Sequence, residues 1–172
     1  MDLSMRNAIR DVPDFPKKGI IFKDITPLLK HPGHLTRIID AMYQRYRSKE
    51  IAYVAAIEAR GYLLAAPLAY RLGAGLIPIR KPGKLPCETL KVTYQLEYGT
   101  DSLEMHKDAI EPGKRVLVLD DVLATGGTAE AAVKLVRSAG GNVVEVAFLI
   151  ELAFLSGRQR LGEVPIHAML TL

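Results

Sequence analysis

The chain has 172 residues, 49% of them apolar, which excludes a disordered or fibrous protein and fits one domain, 1–172, with a sizeable core. A single cysteine, Cys87, excludes a disulfide framework and points to a reducing, cytoplasmic location; no apolar run is long enough for a membrane span, and the start MDLSMRNAIRD is too polar for a signal peptide. The net charge of +4 comes without a dense Lys/Arg block, so no nucleic acid and no membrane is expected, and a small anionic substrate explains the excess.

Residues 3–11 can form a short helix through Leu3, Ala8 and Ile9. DVPDFPKKGIIFKDITPLLKHPGHL follows, with four prolines between Val12 and Leu35. Pro13 and Pro16 forbid regular structure, and Gly19 lets the chain turn before Ile20-Ile21-Phe22. Thr26-Pro27 reads as an N-cap followed by proline at the first helical position. Leu35, Ile38, Ile39, Met42 and Tyr46 recur at helical spacing, opposite Arg37, Gln44 and Arg45. Residues 51–57 are nearly all apolar and predict the first sheet strand, which ends at Glu58-Ala59-Arg60-Gly61. A helix from Tyr62 to Leu72 should kink at Pro67 and end at Gly73. Residues 74–79 give the next strand, left by Arg80-Lys81-Pro82-Gly83-Lys84-Leu85-Pro86, with three cations in five residues.

From Thr89 the period changes. Leu90, Val92, Tyr94, Leu96 and Tyr98 alternate with polar residues, Gly99-Thr100-Asp101 turns, and Leu103-Glu104-Met105 returns, which predicts an antiparallel hairpin over roughly 84–107. Pro112-Gly113 turns into Val116-Leu117-Val118-Leu119, a strand buried on both faces. Asp120 and Asp121 follow where that strand should end. Ala124-Thr125-Gly126-Gly127-Thr128 then opens a helix with Ala129, Ala132, Val133 and Val136 on one face, stopped by Gly140-Gly141. A strand over 143–150, a helical turn over 158–161 and a strand over 166–172 complete an α/β chain. The expected fold is a parallel, twisted sheet of about five strands flanked by helices. The four histidines, at 31, 34, 106 and 167, lack metal-ligand spacing.

The stretch RVLVLDDVLATGGT carries the chemistry. Paired glycines and two threonine hydroxyls at a helix N-terminus suit a phosphate, because backbone N–H groups converge there and the helix dipole favours negative charge. Two carboxylates alongside would repel an anion. The conflict disappears when one ligand offers hydroxyls, or a bound metal, to the acids and a phosphate to the loop, as a ribose 5-phosphate does. Neither G-x-x-x-x-G-K-[ST] nor G-x-G-x-x-G occurs in the chain.

This stretch resembles the phosphoribosyl-pyrophosphate motif of the type I phosphoribosyltransferases, and four further stretches resemble the adenine-using branch of that family. The resemblance implies that Asp120 and Asp121 hold the ribose hydroxyls, while Ala124, Thr125, Gly126, Gly127 and Thr128 hold the 5-phosphate. It implies a pyrophosphate loop at Glu58, Ala59, Arg60 and Gly61, with Arg80, Lys81 and Lys84 of R-K-x-G-K-L-P nearby. FPKKGIIFKDITP, within a segment at about 12–35, resembles the base-binding stretch, where backbone groups at Ile21 and Lys23 read the purine edge and Phe22 packs against it. The hairpin resembles a flexible hood, whose Y-x-L-E-Y-G brings Glu97 and Tyr98 to the reacting centre on closure. The implied reaction joins adenine to 5-phosphoribosyl 1-pyrophosphate, giving AMP and pyrophosphate in purine salvage, with Mg²⁺ held mainly through the substrate and no direct protein metal site. A homodimer is implied in the same way. Tyr62-Leu63-Leu64 departs slightly from the family pattern after R-G, which predicts altered packing rather than altered chemistry. A phosphoribosyltransferase for xanthine or orotate, or a non-catalytic phosphoribosyl-pyrophosphate-binding regulator, is the alternative.

Overall fold

The computed structural model describes residues 3–95 and 99–172, Leu3 by its backbone alone. Two compact units result, Met1–Met42 and Tyr43–Leu172.

The first unit contains α1 (Leu3–Asn7), the antiparallel pair β1 (Arg10–Pro13) and β2 (Ile21–Asp24), α2 (Thr26–Lys30) and most of α3 (Pro32–Tyr46). Its first helix stops well short of residue 11, and Pro13 lies in a strand rather than excluding one. The strand is one of only two in its sheet, so the missing N–H costs no central ladder bond. Gly19 makes the expected turn at φ +90°, its N–H donating to Asp14 Oδ1 at 2.7 Å. Thr26 is the first residue of α2, not its cap. Asp24 accepts instead from the Thr26 N–H at 2.8 Å, and this bond, with Arg10, holds its carboxyl down at about 2.

In the second unit, aliphatic runs become the parallel sheet. Its elements are β3 (Tyr53–Ile57), α4 (Arg60–Leu72), β4 (Gly75–Ile79), β5 (Thr89–Gln95), β6 (Thr100–His106), β7 (Arg115–Leu123), α5 (Gly127–Ser138), β8 (Asn142–Glu151) and β9 (Ile166–Thr171), with 3-10 turns at Ala153–Leu155 and Gly157–Leu161. The sheet order is β4-β3-β7-β8-β9, all parallel. Val116, Leu117, Val118 and Leu119 are fully buried at its centre, as an unbroken apolar run requires. The strand does not end before the acids: Asp120 pairs with Phe148 and Val122 with Ile150, so pairing persists to Leu123. Helix α4 starts at Arg60, two residues earlier than the apolar spacing indicates, and continues through Pro67. The carbonyl that Pro67 leaves without a donor belongs to Leu63, on an exposed face where water can replace it.

The antiparallel excursion is present as β5 and β6, in register from Thr89↔His106 to Gln95↔Thr100. Its stem is anchored rather than loose. Tyr94, Leu103 and Met105 belong to the same buried cluster as Val118, Val133 and Phe148, and Arg80 and Glu104 exchange backbone hydrogen bonds of 2.9 and 2.7 Å.

Glu145 on β8 is buried and takes both arms of the Arg45 guanidinium, at 2.7 and 2.8 Å, with Lys49 at 3.5 Å. Burial alone would raise its carboxyl, but these donors outweigh burial and hold it at about 2. A depressed carboxyl stabilises the fold above the unfolded carboxylate range, and that contribution is lost as pH falls from about 4.5 toward about 2. Glu145→Ala should cost about 2 kcal/mol at neutral pH, less than a fully buried pair because Arg45 stays partly in water. Urea titrations of both proteins at pH 7 and pH 3 check this: the gap should narrow at the lower pH, and an equal gap would count against it.

Candidate active site

Strand order reverses between β3 and β7: β3 leads outward to β4, and β7 to β8 and β9 on the other side. In a parallel sheet the crevice at such a reversal, outside the carboxyl ends of the strands, is where ligands bind. The ends of β3 and β7 deliver Glu58-Ala59-Arg60-Gly61 and Asp120-Asp121 to that crevice.

The two are locked together. Gly61 approaches so closely that a Cβ there would lie 3.0 Å from the Leu119 carbonyl oxygen and 3.2 Å from Asp120 Oδ1. This brings Arg60 Nε to 2.7 Å from Asp121 Oδ2. Asp121 is only 3% exposed, and Asp120, half-buried, accepts from the Asp121 N–H at 2.9 Å. Desolvation raises both carboxyls. Asp120 rises well above its ordinary range because the Asp121 charge adds to it, while Arg60 offsets part of the rise at Asp121. The Glu58–Ala59 peptide is cis.

Arg80 and Lys81 are also held by carboxylates. Arg80 Nε lies 2.6 Å from Glu58 Oε2, and its Nη1 donates to the Lys84 carbonyl at 2.8 Å. Lys81 pairs with Asp101 on β6 and lies 3.4 Å from the Tyr94 hydroxyl. Burial would lower the Lys81 ammonium and raise the Asp101 carboxyl, but their mutual attraction wins in both directions. Tyr94 donates to Asp101 at 3.2 Å and accepts from the Thr128 hydroxyl at 3.3 Å, which ties Lys81 to the start of α5. Lys84 itself is exposed. Tyr62, which follows Gly61, donates to the Ile79 carbonyl at 3.1 Å.

Ala124 and Thr125 are half-buried, Gly126 and Gly127 buried, and Thr128 half-buried. Gly126 caps α5 at φ +85°. The loop interlocks with the turn after β8: a Cβ on Gly126 would collide with the Gly157 carbonyl oxygen, and one on Gly157 with the Ala124 carbonyl oxygen. Gly157, Arg160, Tyr94 and Asp101 are contributors that sequence reasoning missed. Nothing in their spacing marks them, since only the return of β8 and of the hairpin brings them here. Ile21, Phe22 and Lys23 lie on β2 in the first unit; Ile21 is 57% exposed, the Phe22 ring meets Phe15 edge-on at 5.1 Å, and Lys23 pairs with Asp11 at 2.7 Å. Glu97 and Tyr98 lie outside the described residues.

A sequence profile described as "Phosphoribosyl transferase domain" matches residues 24–166. The chain belongs to the phosphoribosyltransferase family. Within that family it is 57% identical to a Thermobifida fusca protein named adenine phosphoribosyltransferase, over 95% of this chain and 93% of the relative. The crystal structure of adenine phosphoribosyltransferase from Thermoanaerobacter pseudethanolicus superposes with a TM-score of 0.96 at 52% identity, covering 99% of both chains. A Trypanosoma brucei adenine phosphoribosyl transferase, crystallised with AMP, pyrophosphate and ribose-5-phosphate, superposes with a TM-score of 0.91 at 26% identity, over 98% of this chain and 78% of that one. The expected fold class, of five parallel strands with flanking helices and a small antiparallel pair, is the fold found.

The paired acids of this phosphoribosyltransferase should oppose folding of the ligand-free protein. A carboxyl raised by folding makes the folded state bind protons more readily than the unfolded one. Stability therefore falls as pH rises through the ordinary carboxylate range toward the raised value. Asp120→Asn should raise stability at pH 7 by about 1 kcal/mol, a Tm gain of a few degrees. Asp121→Asn should gain less, because it strips Arg60 of a counter-ion. Calorimetric scans of the two variants decide: a Tm loss in Asp120→Asn would refute the account.

Proposed function

We propose that the protein transfers the 5-phosphoribosyl group of 5-phosphoribosyl 1-pyrophosphate to adenine, releasing AMP and pyrophosphate, in purine salvage. The observation that carries this is the convergence, at one sheet reversal, of adjacent acids Asp120 and Asp121, a glycine-threonine loop opening α5, and the Arg60 turn. The relatives named above act as its independent support.

Departure of pyrophosphate from C1 of the ribose leaves oxocarbenium character at that carbon, which the purine N9 attacks. Asp120 and Asp121 take the ribose hydroxyls and set negative charge near the developing cation. The backbone and hydroxyls of Ala124 to Thr128 anchor the 5-phosphate away from the reacting bond, so its binding energy orients the sugar. Glu58, Ala59, Arg60 and Gly61, with Arg80, Lys81 and Lys84, receive the pyrophosphate. For Arg60, Arg80 and Lys81, binding is an exchange of a protein carboxylate for a phosphate oxygen. Glu97 and Tyr98 are proposed at the reacting centre, with Glu97 managing a purine proton.

Among the described residues no group of three or more His, Cys, Asp or Glu gathers around a common point. Mg²⁺ would be held mainly through substrate oxygens and water, without a direct protein site. Bound in that way it neutralises charge on the leaving pyrophosphate.

No described helix is long and apolar enough to cross a membrane. A cytoplasmic location suits a lone, exposed Cys87. A homodimer is supported by the outer face of α4, where Leu63, Ala66, Pro67 and Tyr70 make a stripe beside the exposed Leu76 of edge strand β4. Tyr70, at 88% exposed, is its most open member. Light scattering should return the mass of two chains, and Tyr70→Glu should shift it toward one.

Mixing the protein with the sugar pyrophosphate, Mg²⁺ and each base in turn tests the reading. AMP should form with adenine, and little nucleotide with hypoxanthine, xanthine or orotate. Nucleotide only with another base would move the protein within its family, and none with any base would leave a non-catalytic binder. Base choice is proposed to rest on backbone groups at Ile21 and Lys23, which cannot rotate to accept the reversed donor and acceptor of hypoxanthine; such polar discrimination reaches about 10⁴-fold. The Lys23 ammonium is already engaged by Asp11. Lys23→Ala should therefore leave the adenine-to-hypoxanthine ratio of kcat/KM unchanged, and its loss would put selection in the side chain.

A further inference from the structure

The loop assigned to the 5-phosphate has no cation of its own. Between Arg115 and Lys134 the chain contains neither lysine nor arginine, yet it contains Asp120, Asp121 and Glu130. A phosphate dianion seated there would meet three carboxylates with only N–H groups, hydroxyls and a helix dipole to balance it.

The fold supplies a cation from another segment. Arg160 stands on the Gly157–Leu161 turn, whose position against the loop is fixed by the interlock of Gly157 with Ala124 and Gly126. A Cβ on Gly126 would lie 3.1 Å from Arg160 Cβ, and one on Gly127 only 3.0 Å from Arg160 Nη1. The guanidinium thus occupies the space that a side chain at residue 127 would take, at the first residue of α5. Its present ion pair is long, Nε to Glu130 Oε2 at 3.5 Å, and Glu130 has a second and closer partner in Lys134 at 2.5 Å. On its other side Arg160 borders an open groove of about 350 Å³, which leaves the side chain room to turn.

We propose that Arg160 is the cation of the 5-phosphate subsite: it leaves Glu130 to Lys134 and pairs with the phosphate of the bound phosphoribosyl group. This rests on the phosphoribosyl reading above. The charge that the loop omits is supplied by the turn after β8, and the bare Cα of Gly127 is what admits it.

The test is calorimetric titration of ribose 5-phosphate and, separately, of pyrophosphate with Mg²⁺, into wild type, Arg160→Gln, Arg160→Lys, Glu130→Gln and the Arg160→Gln/Glu130→Gln pair. Losing a charge-assisted contact should weaken ribose 5-phosphate at least about tenfold in Arg160→Gln, with Arg160→Lys in between and pyrophosphate unchanged. Glu130→Gln should tighten ribose 5-phosphate, and more so when Arg160 is present than when it is Gln. Equal ribose 5-phosphate affinity in wild type and Arg160→Gln overturns the proposal, as does a parallel loss of both ligands, which would mean a damaged fold rather than a missing charge. Should Arg160→Gln fail to fold, Arg160→Lys and Glu130→Gln must still shift affinity in opposite directions. Wild type that binds no ribose 5-phosphate would sink the phosphoribosyl reading itself, whereas binding unaffected by Arg160→Gln sinks only this inference.

Discussion

Two adjacent carboxylates near the end of a central strand, Asp121 buried and Asp120 half-buried, are the constraint around which the second unit is arranged. Desolvation opposes the charge of both Asp120 and Asp121, and the Asp121 charge adds to it at Asp120. Arg60 reaches Asp121 directly, and it does so because Gly61 lets α4 close on the end of β7. The sheet order that puts β3 beside β7 is therefore an electrostatic requirement as well as a packing one. A site of this kind is held by the surrounding core, whose fully buried Val116 to Leu119 leave the strand no freedom to retreat.

A second consequence concerns the cations. Arg60, Arg80 and Lys81 each have a carboxylate of the same chain as partner: Asp121, Glu58 and Asp101. On the proposed function, a phosphate ligand would replace an existing counter-ion instead of meeting bare charge, with the side chains ordered before it arrives. Pre-ordering of this kind reduces the entropy lost on binding, at the cost of a competitor that must be displaced. Lys81 shows the arrangement most clearly, since its partners Asp101 and Tyr94 come from the hairpin and Tyr94 also touches Thr128. The hairpin stem thus links the Lys81 segment to the start of α5, besides being packed into the core.

The third element is the close fit between two glycine-bearing segments. The loop Ala124–Gly127 and the turn at Gly157 each occupy space that a Cβ on the other would need. This contact, made largely between backbone carbonyls and bare glycine Cα atoms, fixes the conformation of the loop.

The sequence by itself determined the central strands and the glycine loop that opens α5. The unbroken run Val116–Leu119 could only be a strand buried on both faces, and Ala124–Thr128 could open a helix only through glycines. The Arg60 turn and the cations from Arg80 were legible because each follows a strand in a chain of βα units. Boundaries were less legible: β7 continues through Asp120 and Asp121 because pairing with Phe148 and Ile150 outweighs their poor strand preference, and Pro13 joins a strand because its sheet has only two. Only the tertiary structure decided that Asp24 accepts from the first N–H of α2, that Asp101 holds Lys81, and that Gly157 and Arg160 stand against a loop some thirty residues earlier in the chain. The reason is physical. Periodicity and turn chemistry report the conformation of neighbours in sequence, whereas a charge pair or a missing Cβ gains meaning from what the fold places beside it.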